Sequence, residues 1–358
     1  MTISDPKASV SPKGPVPVRR ATIRDVSRLA SVSRMTVTRV LSEPDLVTDA
    51  TRERVLRAIA DLGYVPDRAA GSLATRRTGF VALMLPTLTN ANFSTMAHGL
   101  TEALAEKDFH LLITYTNYNV AEEEAQLYNL IARRPEAIVV TGATHSREAS
   151  LMLMRSHVPV IEVADLPVRP IQHAVGFSNY EIGRMAAQYL IARGFSKIGA
   201  IASRPNGDLV DHRGEERIKG LEDELRLNHL STEAVLRLGD APVSYEHGST
   251  AGAELLEHYP SVEAVFCVSD LSAIGLMMEC QRRGISIPDQ VSIMGFGDFD
   301  IGRVTNPPLT SIRVDFAGLG KRAGRLVLDL LSGRPVDQPT RIDVGLSIVE
   351  RGSVRKPI

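Results

Sequence analysis

The sequence predicts an all-α helix-turn-helix unit followed by an α/β body of parallel sheets arranged in two lobes. Three observations predict it. Apolar residues recur at helical spacing between Thr22 and Leu62. From Gly79 onward, strand-like apolar runs alternate with helix-like segments, the pattern of parallel sheets covered by helices. Charge divides at the same boundary. Residues 1–77 hold 14 basic and 8 acidic side chains, a net of +6, and the rest of the 358-residue chain carries a net of −7.

Residues 1–18, rich in Pro, Ser and Lys, read as a disordered tail. A DNA-binding unit is expected over 19–66. Thr22 and Asp25 form a capping pair that opens a first helix, with Ile23, Val26, Leu29 and Ala30 on one face. Ala30-Ser31-Val32 is a tight connection. Ser33 caps a second helix, Arg34 to Leu41, with Val37, Val40 and Leu41 inward and Arg34, Met35, Thr38 and Arg39 outward. A third helix starts at Thr48, turns Val55, Leu56, Ile59 and Leu62 inward, and closes at Gly63.

Two helices joined by so short a turn place the second in a DNA major groove. Arginine grips guanine with two donors, so Arg34 and Arg39 are the expected base readers. Thr22, Ser33, Thr36, Thr38 and Ser42 supply short hydroxyls suited to phosphate oxygens. Residues 19–77 contain 12 Arg and no Lys, a usage that favours forked recognition of phosphates and bases over a merely solvated surface. Residues 67–78 read as a linker or a short helix with Arg68 near its start and Leu73 as an apolar tip. So short a helix, weakened by Gly71, needs a partner to form. On spacing alone a plain linker is favoured.

In the body, strands are expected at Phe80–Leu85, Leu111–Tyr115, Ala137–Val140, Val160–Val163, Lys197–Ala202, Val262–Val268 and Val291–Phe296. Helices are expected at Phe93–Lys107, Glu122–Arg133, Tyr180–Arg193, Arg213–Leu225 and Leu271–Arg283. Ligands of such sheets bind at the carboxyl ends of strands. That directs attention to Pro86–Phe93, Thr141–Ser146, Glu162–Pro167, Ser203–Arg217, Ser269–Ser272 and Gly297–Asp300. Arg213 and Arg217 stand four apart and share a helix face, a pairing suited to a carboxylate or phosphate, or to surface neutralisation by Glu215 and Glu216. Asp270, at a strand tip, suits a polyol hydroxyl or a helix N-cap. His145 and His212 are equally readable as pocket or surface residues.

No nucleophile motif, metal-ligand spacing or dinucleotide fingerprint occurs, which argues against an enzyme. Cys267 and Cys280 are too few for a disulfide framework and read as buried thiols. No apolar run is long enough to span a bilayer and no export signal is evident, so a cytoplasmic protein without membrane contact is expected rather than a solute-binding protein of a transporter.

The DNA-reading segment, RAAGSLATRRTG, VSDLSAIG and VSIMGFGDFDIGRVTNPPLTSIRVDF together resemble the LacI/GalR family of bacterial transcription regulators, over residues 20 to 352. The resemblance implies a periplasmic-binding-protein-like sensor with one subdomain at 79–176 and 316–342 and the other at 177–315 and 343–358. It implies a homodimer on a near-palindromic operator, with no cofactor. Arg34, Met35 and Arg39 fall on the family's base-reading positions, and Leu73 on the hinge leucine that enters the central minor groove, which reverses the plain-linker reading. Phe93, Asp165, Arg213, Arg217 and Asp270 fall on or beside its ligand contacts. LPTLTNANF, VVTGATHS and ECQRRGISIPD look most like gluconate-responsive members, which implies a repressor of a sugar-acid operon released by gluconate or a related aldonate. Another sugar, or a co-repressor, remains the alternative. Ser31 departs from the family's usual turn glycine. If that position is left-handed, serine costs on the order of 1 kcal/mol.

Overall fold

The computed structural model describes residues 20–65 and 78–356 and divides the chain into two units, Met1–Arg77 and Thr78–Ile358. The expected tail, and the hinge with Arg68 and Leu73, lie outside the described residues.

The first unit contains α1 (Ile23–Leu29), α2 (Arg34–Ser42), a short 3-10 turn (Pro44–Leu46) and α3 (Asp49–Leu62). Its caps are those the sequence predicts. Thr22 and Asp25 form a reciprocal capping box, Ser33 accepts from the Thr36 amide, and Gly63 ends α3 in the left-handed region. The core is Val26, Ala30, Val37, Val40, Val55 and Ala58, with Ile23, Ile59 and Leu62 against it. Leu29, Leu41 and Leu56, expected inside, are exposed. On each of these short helices the buried stripe is only two or three side chains wide. Leu56 lies off the stripe that runs through Val55, Ala58, Ile59 and Leu62, and Leu29 lies at the edge of the Ile23–Val26–Ala30 stripe.

The second unit holds two six-stranded sheets. In chain order its elements are β1 (Phe80–Leu85), α4 (Ala91–Ala105), β2 (His110–Tyr115), α5 (Val120–Ala132), β3 (Ile138–Thr141), α6 (Arg147–Met154), β4 (Val160–Val163) and β5 (His173–Gly176). Then come α7 (Asn179–Ile191), β6 (Ile198–Ala202), α8 (His212–Leu227), β7 (Val235–Arg237), α9 (Tyr245–His258), β8 (Ala264–Cys267), α10 (Asp270–Arg283), β9 (Ser292–Phe296), β10 (Thr310–Arg313), α11 (Phe316–Leu331), β11 (Arg341–Asp343) and β12 (Ser347–Val349). The sheet orders are β11-β5-β4-β3-β1-β2 and β12-β10-β9-β8-β6-β7. Every pairing is parallel except β10 with β12.

The chain passes between the lobes after β5, after β10 and after β11. Phe177, Phe296 and Phe316, beside those passages, form a buried aromatic cluster with ring centroids 5.8 to 6.4 Å apart.

Strands β1 and β4 match their expected bounds; β1 is a continuous apolar run, β4 an apolar run interrupted by the buried Glu162. Helices α6, α9 and α11 and strands β5, β7, β10, β11 and β12 were not expected. Cys267 and Cys280 are buried free thiols, raised by desolvation. No helix among the described residues is long and apolar enough to cross a membrane.

Candidate functional site

Helix α2 presents one face to solvent. Arg34, Met35, Thr38 and Arg39 are exposed there, Met35 by 72%. No hydrogen bond or ion pair ties the Arg34 or Arg39 guanidinium among the described residues, so both forks are available to a base edge. The hydroxyls are committed locally. Thr22 donates to Asp25 at 2.6 Å, Ser33 and Thr36 share a 2.9 Å bond, Thr38 donates to the Arg34 carbonyl and Ser42 to that of Thr38. A phosphate would replace these bonds rather than fill empty positions. Ser31 lies at φ +53°, so the turn holds a left-handed serine.

In the second unit a cleft opens between the lobes at the carboxyl ends of β1 to β4 and β6, in two compartments that share Tyr118 and Arg213. The larger spans about 560 Å³, open to solvent on one side, and is walled by Pro86, Thr116, Asn119, Glu123, Thr141–Thr144 and Asp165 from one lobe and Val210, His212 and Arg213 from the other. The smaller, about 430 Å³, adds Asn90, Asn92, Phe93, Asp211, Arg217 and Ser269.

Arg213 and Arg217 start α8, and both are more than nine-tenths buried, which removes the surface-neutralisation reading. Glu215 instead pairs with Arg237 at 2.9 Å. The two arginines differ. Arg217 donates from Nε and Nη2 to the Asn179 side-chain oxygen at 3.0 and 2.8 Å, and from Nη1 to the Val268 carbonyl at 2.8 Å. It also stacks over Phe296 at 4.0 Å. Burial draws its pKa down to about 10, so it stays charged at neutral pH.

Arg213 is held between the rings of Phe93 and Tyr118, at 5.5 and 5.6 Å. Its nearest carboxylate, Asp211, is 3.9 Å away, beyond hydrogen-bond range. Its Nη1 passes Gly142 of the opposite lobe so closely that a Cβ there would lie 3.1 Å from it. Burial and the charge of Asp211 push the Tyr118 phenol up to about 12, so it is a neutral hydrogen-bonding group. A buried guanidinium with no carboxylate in hydrogen-bond reach among the described residues, reaching across the cleft, is a place for an anion.

Asp165 lines the larger compartment, one oxygen engaged by the Leu166 amide and the Asn179 side chain. Asp270 must be corrected on both expected counts. It is wholly buried and lines neither compartment. Its oxygens accept from the Phe299 amide at 2.8 Å and the Ser311 hydroxyl at 2.7 Å. The cap of α10 is Ser269. His145 is buried against Glu123, and His212 is exposed at the mouth of the larger compartment. Burial, then the charge of Arg213, holds the His212 imidazole below its usual range.

The spacing argument missed Tyr118, Asn119, Glu123 and Asp211. All but Asp211 belong to the loop after β2 and the helix it starts, a strand-end loop not singled out. Asn117 and Tyr118 there are successive left-handed residues, closed by an Asn119 N–H to Thr116 carbonyl bond of 3.0 Å.

A helix-turn-helix unit joined to a two-lobed binding body defines a DNA-binding regulator with a small-molecule sensor. Residues 22–67 match the bacterial regulatory proteins of the lacI family, and residues 187–354 the periplasmic binding protein-like domain. The HTH-type transcriptional regulator GntR of Pseudomonas aeruginosa is 30% identical over 334 residues, 93% of this chain and 96% of the relative. The regulator CelR of Thermobifida fusca is 31% identical over 344 residues, 94% and 98% of the two chains. A crystal structure of a LacI-family regulator from Silicibacter pomeroyi superposes with a TM-score of 0.86 at 29% identity, covering 94% of this chain and all of that one. The chain belongs to the LacI family and is a DNA-binding transcriptional repressor, not an enzyme.

Proposed function

We propose that this repressor controls a sugar-acid catabolic operon and leaves its operator when gluconate or a closely related aldonate fills the cleft. Two copies bind a near-palindromic site. Arg34, Met35 and Arg39 of each face the bases, with Leu73 and Arg68 at the centre and the hydroxyls of Thr22, Ser33, Thr36, Thr38 and Ser42 on phosphates. The protein acts in the cytoplasm.

The observation that carries the effector reading is Arg213, a buried cation in the cleft whose nearest acid is out of hydrogen-bond reach. A ligand carboxylate supplies the missing partner. Arg217 is spent on Asn179 and Val268, so it backs the site rather than sharing the carboxylate. Asp165 and the polar wall of the larger compartment meet the hydroxyls, and Phe93 packs beside the carboxylate. The relatives named GntR and CelR match about equally well, so the identity of the effector rests on this chemistry.

Titration of the full chain with D-gluconate and with D-glucose tests it. Gluconate is expected to bind, to lose at least tenfold in affinity in Arg213→Gln, and to release operator DNA in a mobility-shift assay. Binding of glucose with no response to gluconate overturns the reading. Tightening of the operator complex by gluconate reverses its sign.

A further inference from the structure

Behind the wall of the larger compartment lies a row of three buried ionisable groups. Glu123, in the first turn of α5, meets His145 Nδ1 at 2.5 Å. The opposite ring nitrogen of His145 is 3.7 Å from Glu162 and has no hydrogen-bond partner among the described residues. The side chains of His145 and Glu162 are each 2% exposed, that of Glu123 12%. Glu162 is tied to the Ile171 amide at 2.6 Å. Only Glu123 of the three lines the compartment, and no donor among the described residues reaches its second oxygen. Arg213 lines the same compartment from the other lobe.

We propose that Glu123 is a specificity-determining ligand contact, and that it accepts hydrogen bonds from the hydroxyl chain of a polyhydroxy carboxylate whose acid end sits on Arg213. His145 is its positioning residue, locking one carboxylate oxygen so that the other faces the cleft. This rests on the anion reading of Arg213. It adds a direction to the ligand, acid toward Arg213 and hydroxyls toward Glu123.

The test is calorimetric titration of the full chain with D-gluconate and with glycolate, an acid too short to leave Arg213. Glu123→Gln is expected to weaken gluconate about tenfold, the loss of a charge-assisted hydrogen bond, and to leave glycolate within about twofold. His145→Gln weakens gluconate in the same way, and the double variant is no weaker than Glu123→Gln alone, because the two act as one unit. A merely structural role of His145 would weaken glycolate as well. Where glycolate is too weak to measure on the wild type, a retained cooperative melt of Glu123→Gln separates a lost contact from a lost fold. Wild-type gluconate affinity in Glu123→Gln overturns the inference and leaves the anion reading standing. So does tighter binding of the 2-amino analogue than of gluconate. If gluconate fails to bind the wild type at all, the anion reading falls and takes this inference with it.

Discussion

His145 should make the second unit lose stability in alkali in a way that a glutamine cannot reproduce. Burial works to lower this imidazole, but the Glu123 hydrogen bond and the charges of Glu123 and Glu162 outweigh it and raise it from 6.5 to about 9. A raised folded-state pKa means stability fully present below the unfolded value and lost as pH rises through the folded one. The whole shift corresponds to about 3 kcal/mol. From about pH 7.5 to about pH 9.5, roughly 2 kcal/mol of that disappears. For a unit of this size that is about 3–4 °C of melting temperature. The assay is thermal melting of wild type and His145→Gln across that window. Lysines and tyrosines that titrate there are common to both chains and cancel in the difference. The wild type is expected to fall by about 3–4 °C more than the variant. Parallel curves would refute the claim that His145 is charged between two carboxylates.

Three further outcomes follow from particular contacts. Ser31→Gly relieves a left-handed serine and should raise the stability of the first unit by about 1 kcal/mol, read by its melting transition. Asp270, raised by burial to about 7, is stabilised by acid and loses stability as pH rises through that value. Asp270→Asn should keep one acceptor for the Phe299 amide, donate to Ser311, cost under about 1 kcal/mol and flatten that pH dependence. Asp270→Ala, which orphans the Phe299 N–H, should cost about 1–3 kcal/mol in denaturant titrations. Gly183 on α7 meets α8 so closely that a Cβ would lie 1.7 Å from the Arg217 carbonyl oxygen. Gly183→Ala should therefore cost about 3 kcal/mol and weaken ligand binding by moving Arg217, with melting and titration as the readouts.

How much was legible in the sequence follows from where the information resides. Capping residues act within one turn, so Thr22, Ser33 and Gly63 were readable. A continuous apolar run marked β1, and a mostly apolar one β4. Helix α11 was not, because its sequence is rich in glycine, which looks like a poor helix in isolation. Its stability comes from packing on α4, where Gly320 admits the Met96 carbonyl at 2.0 Å from a notional Cβ. Strands of three or four residues, such as β7, β11 and β12, are too short to show a period. Arg213 and Arg217 were visible as a helix-face pair, but their burial and unequal engagement depend on Asn179, Val268 and Phe296, far away in the chain. Asp270 was misread for the same reason. The partners that turn it inward, Phe299 and Ser311, are 29 and 41 residues downstream.

The same contacts show why a ligand should decide the state of the lobes. Besides the chain passages, a backbone latch joins them: the Val120 amide donates to the Asp208 carbonyl and the Val210 amide to that of Tyr118, each at 3.1 Å. Both bonds exchange with water on opening, so each is worth about 1 kcal/mol net. Asn117 and Tyr118, which present the latch, are both left-handed, at a cost of about 1–2 kcal/mol for Tyr118 and less for Asn117, which suits that region. The latch is thus close to balanced against the strain of its own turn and cannot hold the lobes together by itself. A ligand shifts such an equilibrium only by its differential affinity for the two arrangements. On the proposed reading, an acid with a hydroxyl chain that meets Arg213 of one lobe and Glu123 and Asp165 of the other would gain those contacts only when the lobes are closed. One charge-assisted bond at each end would exceed the net strength of the latch, so on that reading occupancy of the cleft would set the closed population.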